Sequence, residues 1–136
     1  MRAAWVIVLG ASVALGCATP TPAPTESTPP RIMVSEAGGQ VALAVRQELG
    51  LQLQANVTTG YGWAVVPPLP EVLTAIDPGT YHASTDSDAS VGAGGTTSFV
   101  FLAVRPGKGV LQLAYRRPWE RDVIPARTVR VDVEVR

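Results

Sequence analysis

The chain closes on Val129-Arg130-Val131-Asp132-Val133-Glu134-Val135-Arg136, in which valine alternates with charge at every step. Successive side chains of a β-strand point to opposite faces, so this run puts all its valines on one side and all its charges on the other. One dry face and one wet face describe a half-buried antiparallel strand. The same period recurs upstream: Val41, Leu43 and Val45 alternate, Leu49, Leu51 and Leu53 are set against Gln52 and Gln54, and Phe99 with Phe101 and Leu111 with Leu113 and Tyr115 follow the rule. No long helical pattern interrupts them. Gly38-Gly39, Pro67-Pro68, Asp77-Pro78-Gly79 and Pro106-Gly107 punctuate the runs at turn positions. Seven or eight short strands are therefore expected, near 33–36, 40–46, 49–55, 62–66, 72–76, 96–104, 109–116 and 127–135. That spacing predicts an all-β fold, an immunoglobulin-like antiparallel β-sandwich. With one cysteine in the chain, no inter-sheet disulfide is available to it.

The N-terminal segments lie outside this pattern. Residues 1–16 start with Met1-Arg2, continue as an uncharged, mostly apolar run from Ala3 to Leu15, and end in Gly16. That run is shorter than the ~20 residues a membrane-spanning helix needs, and its layout is that of an export signal. Val13-Ala14-Leu15-Gly16-Cys17 resembles the bacterial lipobox, although leucine usually sits one position before Leu15. The resemblance implies a lipoprotein signal peptide over 1–16 and a Cys17 that is acylated and becomes the new N-terminus. The alternative is an ordinary secretory signal that leaves a stray thiol, a liability in an oxidising compartment. Residues 17–30 supply the acylated cysteine and a linker, with five prolines among the thirteen residues from Ala18 to Pro30 and nothing large and apolar. Such a segment favours extended polyproline II and, at ~3.1 Å per residue, reaches up to ~40 Å from a membrane. The expectation is an exported cell-envelope lipoprotein, in the outer membrane or at the cell surface. Ala18 in place of aspartate favours onward sorting to an outer membrane, by resemblance to known lipoproteins.

Residues 31–136 suffice for one domain and not two. Beyond residue 16, ten basic and eleven acidic side chains are scattered along the chain, so no nucleic-acid footprint is present. A Ser-His-Asp or Cys-His arrangement would have to use His82, the one histidine, as its base. Its neighbours offer no other sign of a catalytic centre, and His82 reads as a polar loop or strand residue. No His/Cys cluster has metal-ligand spacing. Asp86-Ser87-Asp88 lacks the glycine and later bidentate glutamate of a calcium loop and reads as solvated. The chain is expected to be no enzyme, to hold no cofactor or metal, and to act as a monomer that binds through its loops.

Three loops stand out, and rigid strands make loops the natural carriers of function. They are Asn56-Val57-Thr58-Thr59-Gly60-Tyr61-Gly62-Trp63, Val91-Gly92-Ala93-Gly94-Gly95-Thr96 and Tyr115-Arg116-Arg117-Pro118-Trp119-Glu120. Each alone would pass for a turn, a flexible connection or a small basic patch. In this order they resemble the signature of the chagasin family of cysteine peptidase inhibitors: Asn-x-Thr-Thr-Gly-Tyr, then Gly-x-Gly-Gly, then Arg-Pro-Trp. The resemblance spans residues 31–136 and includes Tyr115. Val57 stands where the family commonly has proline.

The resemblance implies a sandwich that presents the three loops as a wedge to a papain-like cysteine peptidase. Asn56, Thr58, Thr59, Gly60 and Tyr61 would lie over the catalytic cysteine; Gly92, Gly94 and Gly95 would follow the substrate groove; Arg117, Pro118 and Trp119 would cover the leaving-group side. The residue types suit those tasks. Thr58 and Thr59 lose little side-chain entropy on docking. The glycines allow close main-chain approach, Pro118 stiffens its loop, and Trp119 is of the type most enriched at binding hot spots. Arg117 can pair with or stack upon the partner. Trp63 is read as core, Arg116 as a solvated neighbour of Arg117, and Tyr61 as either packing beneath the loop or touching the enzyme. The rival reading is a structural or adhesive envelope lipoprotein whose same loops bind glycan or protein.

Overall fold

The computed structural model describes residues 31–85 and 92–136. The expected signal peptide, Cys17 and the linker, together with Asp86, Asp88 and Val91, lie outside the described residues. Eight strands form: β1 (Ile32–Val34), β2 (Gly39–Leu43), β3 (Glu48–Ala55), β4 (Gly62–Val65), β5 (Leu73–Ala83), β6 (Gly95–Ala103), β7 (Gly107–Arg116) and β8 (Arg127–Val135). They make two four-stranded sheets, ordered β1-β3-β6-β5 and β2-β8-β7-β4. Among the described residues, no helix is long and apolar enough to cross a membrane.

The alternation decides which face of each sheet is dry. Val129, Val131, Val133 and Val135 are buried along β8, and Leu49, Leu51 and Leu53 along β3. Phe99 and Phe101 of β6 are buried with nearly parallel rings, 6.3 Å between centroids. Leu111, Leu113 and Tyr115 of β7 join the same core. Each such aliphatic or aromatic burial contributes about 1.5–3 kcal/mol relative to exposure. That apolar contact closes the sandwich without a disulfide. Trp63 is 8% exposed and belongs to this core, as read from the sequence.

Three details differ from the expectation. The inner ladders β3–β6–β5 and β8–β7–β4 are antiparallel, but β1 pairs parallel to β3 and β2 parallel to β8. The chain leaves the first sheet for β2 and comes back for β3, and two reversals restore its direction. Val45 does not continue β2: the chain turns at Ala44–Gln47, Arg46 takes a φ of 73°, and Val45 faces solvent. Asp77-Pro78-Gly79 is no turn between elements but an irregularity inside β5, which resumes pairing with β6 at Thr80. β5 lies at a sheet edge, and Pro78 falls in the unpaired step between Asp77 and Thr80, both places where a strand tolerates proline. The Asp77 carboxylate accepts from the Gly79 N–H at 3.0 Å and from the Thr80 hydroxyl at 2.9 Å, which holds the bulge locally.

This topology gathers the three connections that matter. Ala55 and Ala83 both pair with Gly95, Gly62 pairs with Arg116, and Tyr115 pairs with Arg127. The β3–β4, β5–β6 and β7–β8 connections therefore leave the sandwich at one end.

Candidate functional site

The loop end is built on an overhang. β1 covers β3 only at Leu49–Leu51, so the backbone groups of Gln54 that face away from β6 have no strand partner. Buried or half-buried backbone groups must find one elsewhere. The Glu36 carboxylate takes the Gln54 N–H. The Gln54 carbonyl accepts from the Trp63 indole at 2.9 Å and from the Arg127 guanidinium at 2.7 Å. Arg127 also pairs with Glu36 at 3.0 Å. Two residues further on, the Asn56 N–H donates to the Tyr115 hydroxyl at 2.9 Å.

From that base Asn56 organises the first loop. Its backbone is extended, at φ −133° and ψ 97°, and caps a single 3-10 turn over Val57–Thr59. Its side-chain carbonyl accepts from the Thr58 N–H at 3.1 Å and from the Thr58 hydroxyl at 2.5 Å, and its main-chain carbonyl accepts from the Thr59 hydroxyl at 2.7 Å. Such a cap contributes about 1 kcal/mol. Gly60 ends the turn at φ 79° and donates to the Val57 carbonyl at 3.0 Å. A Cβ on Gly60 would stand 2.7 Å from Cη2 of the exposed Trp119, which would have to shift, and the positive φ itself favours glycine there.

The three loops brace one another. The Asn56 side-chain amide donates to the Gly92 carbonyl at 3.0 Å, which ties the first loop to the second. The Ser84 N–H donates to the Gly94 carbonyl at 3.1 Å across the base of the second. Arg117 of the third loop donates to the Thr59 carbonyl at 3.1 Å and pairs with Glu120 at 3.3 Å. Its guanidinium lies 4.5 Å over the Tyr61 ring, and Tyr61 stacks on Tyr115 at 5.3 Å. Arg127 in turn lies 4.2 Å over Tyr115 and 5.1 Å over Trp63. Cation–π contacts of this kind contribute about 0.5–1 kcal/mol at exposed sites, and aromatic pairs about 0.5–1.5 kcal/mol beyond their burial.

The loop residues singled out in the sequence as peptidase-binding can now be placed. Asn56, Thr58, Thr59, Gly60, Tyr61, Gly92, Gly94, Arg117, Pro118 and Trp119 come together at the loop end. Thr58, Thr59, Gly92 and Pro118 are exposed, and Trp119 is 68% exposed. Tyr61 is half-buried, packed between Arg117 and Tyr115. Arg117 is half-buried, its guanidinium in contact with the Thr59 carbonyl, the Tyr61 ring and Glu120. Gly95 is buried at the start of β6, where a Cβ would strike the His82 carbonyl and the Tyr81 hydroxyl. It lets β5 and β6 close beneath the second loop. His82 is exposed on β5 opposite Thr96 and, among the described residues, has no acid partner. No group of His, Cys, Asp and Glu among the described residues could hold a metal. Sequence reasoning missed Glu36 and Arg127; the one available signal was that Arg127 opens the strand that must lie opposite Tyr115.

Fold and site together define an immunoglobulin-like sandwich that presents three mutually braced loops, with a large aromatic ring exposed among them and, among the described residues, no catalytic constellation. The family model described as the chagasin family of peptidase inhibitors I42 matches residues 42–133, and the chain belongs to that family. It is 28% identical to Amoebiasin-2 of Entamoeba histolytica over 86 residues, which are 63% of this chain and 68% of that protein. The crystal structure of the cysteine protease inhibitor EhICP2, also from Entamoeba histolytica, superposes with a TM-score of 0.69 at 22% identity, covering 78% of this chain and 96% of that one. The solution structure of Amebosin gives a TM-score of 0.63 at 28% identity over 79% and 99% of the two chains. The matched family is one of peptidase inhibitors, not enzymes, and EhICP2 is a cysteine protease inhibitor.

Proposed function

We propose that this protein is a reversible, tight-binding inhibitor of papain-like cysteine peptidases, and that it acts by occluding the active-site cleft with its three loops. Membership of a peptidase-inhibitor family and likeness to a cysteine protease inhibitor support the class of partner. One observation carries the mechanism: the loops are hydrogen-bonded to one another through Asn56–Gly92 and Arg117–Thr59 in the free chain. Association costs ordering energy wherever loops are loose, so a pre-assembled loop end spends less of its contact energy on ordering. In this reading the Asn56–Tyr61 loop lies over the catalytic cysteine, Gly92 and Gly94 offer main chain to the substrate groove, and Pro118 and Trp119 cover the leaving-group side. This reading calls for no turnover and no cofactor. We further place it in the cell envelope, exported by residues 1–16 and held by lipid on Cys17, with residues 18–30 as tether.

Titration of active papain with residues 31–136 tests the function. A linear loss of activity ending near one inhibitor per enzyme is expected, with serine and metallopeptidases unaffected. Full activity of several papain-like enzymes at micromolar inhibitor would overturn the assignment, and the adhesive-lipoprotein reading would take its place.

A further inference from the structure

Gly62 is a glycine without a structural reason. It lies in β4, paired with Arg116, at no positive φ, and a Cβ added to it would meet nothing within 4 Å. Glycine inside a strand weakens it and often marks a place where something else approaches closely. What its missing side chain leaves is a depression of about 530 Å³ on the outer face of the sheet. Gly62, Ala64 and Trp63 form the floor, and Arg116, Pro118 and Arg121 the walls.

The charge at this place is also unspent. Six arginines pair with carboxylates within the chain, namely Arg31, Arg105, Arg117, Arg127, Arg130 and Arg136. Arg46, Lys108, Arg116 and Arg121 form no ion pair with any described residue, and of these Arg116 and Arg121 both line this depression. A guanidinium is a planar fork suited to carboxylate. Pro118 borders the depression and adjoins the exposed Trp119, so the site is continuous with the loop end.

We infer that this depression receives an acidic side chain of the partner peptidase, from the rim of the cleft next to the third loop, and that it discriminates among peptidases by whether such a carboxylate is there. The inference rests on the inhibitory function proposed above. Arg116 and Arg121 then act as a carboxylate clamp, and the small residues at 62 and 64 leave room for the incoming side chain. Charge pairs of this kind govern association rate and selectivity, and they weaken with salt.

The test uses the full chain against a panel of papain-like peptidases, with inhibition constants measured at low and at high salt. The double variant R116E/R121E is expected to inhibit at least one panel member about tenfold or more weakly at low salt, with the gap closing at high salt. Gly62→Leu is expected to weaken inhibition of that same enzyme while leaving the melting temperature level or raising it, because leucine fits an open strand position better than glycine. Variants that inhibit every panel member within twofold of the parent chain would overturn the clamp and leave the inhibitory function standing. A parent chain that inhibits no member would overturn both. A Gly62→Leu variant that loses affinity only in step with lost folding would also overturn it, since that reports the strand and not the depression.

Discussion

The phenolic oxygen of Tyr115 lies 2.9 Å from the backbone nitrogen of Asn56, a contact across 59 positions of sequence and between the two sheets. It ties the end of β7 to the first residue of the loop that follows β3. Asn56 then spends its side chain on Thr58 and Gly92, so one phenol underlies the bonding of two loops.

Tyr115→Phe isolates that contact. The ring stays stacked on Tyr61 and beneath Arg127, and the hydroxyl is lost both as acceptor for the Asn56 N–H and as donor, at 3.5 Å, to the Asn56 carbonyl. A half-buried N–H left without a partner costs about 1–3 kcal/mol. Urea unfolding should register a loss of this size, and inhibition should weaken because the first loop loses its anchor. An unchanged midpoint would mean that water replaces the phenol at no cost.

Trp119→Ala separates a binding residue from a packing residue. At 68% exposure the indole contributes little to the fold, so stability should change by less than about 0.5 kcal/mol. As a binding hot spot it should cost on the order of 2–4 kcal/mol of affinity for the peptidase. A stability loss of ~3 kcal/mol or more would instead mark a core aromatic.

Cys17→Ser tests the anchor. In cells given labelled palmitate, the parent protein should take up label and the serine variant should not. Label that persists on the variant would refute acylation at Cys17. Inhibition in solution should match in both, since thirteen residues separate Cys17 from Arg31.

The strands were legible in the sequence because a sheet face is either dry or wet, and a slip of one residue would invert every side chain. That is why Val129 to Val135 and Leu49 to Leu53 could be assigned to the core. The passage of β5 through Asp77-Pro78-Gly79 was not legible, since a turn and an edge-strand bulge share one vocabulary and only the neighbouring strand distinguishes them. The three loops could be recognised as strings of residues, but their inward and outward sides could not. That Arg117 also lies over Tyr61 and donates to the Thr59 carbonyl could be seen only once the loops were placed. Glu36 and Arg127 stayed hidden for a similar reason: they serve Gln54 only because β1 is shorter than β3.

The last prediction concerns Val57, where the resemblance to the chagasin signature implies proline. Proline fixes φ near −65°, removes an N–H and pushes the preceding residue out of the helical region. The loop meets these demands. Val57 is the first residue of the 3-10 turn, the place where a missing N–H costs least. Asn56 before it is already extended, at φ −133° and ψ 97°. The Val57 side chain is 46% exposed, so replacing it empties no core position. The closing bond of the turn runs from the Gly60 N–H to the Val57 carbonyl, which proline retains. Val57→Pro should therefore stabilise the fold by about 0.4–1 kcal/mol, mainly by restricting the unfolded chain. Affinity should hold level or improve by a few fold, because a stiffer free loop has less freedom to lose on docking. Competition against a fluorogenic peptidase substrate reads this directly. A loss of more than tenfold would mean that the loop docks in a shape proline forbids, and that the docking proposed for the Asn56–Tyr61 loop does not hold for this chain.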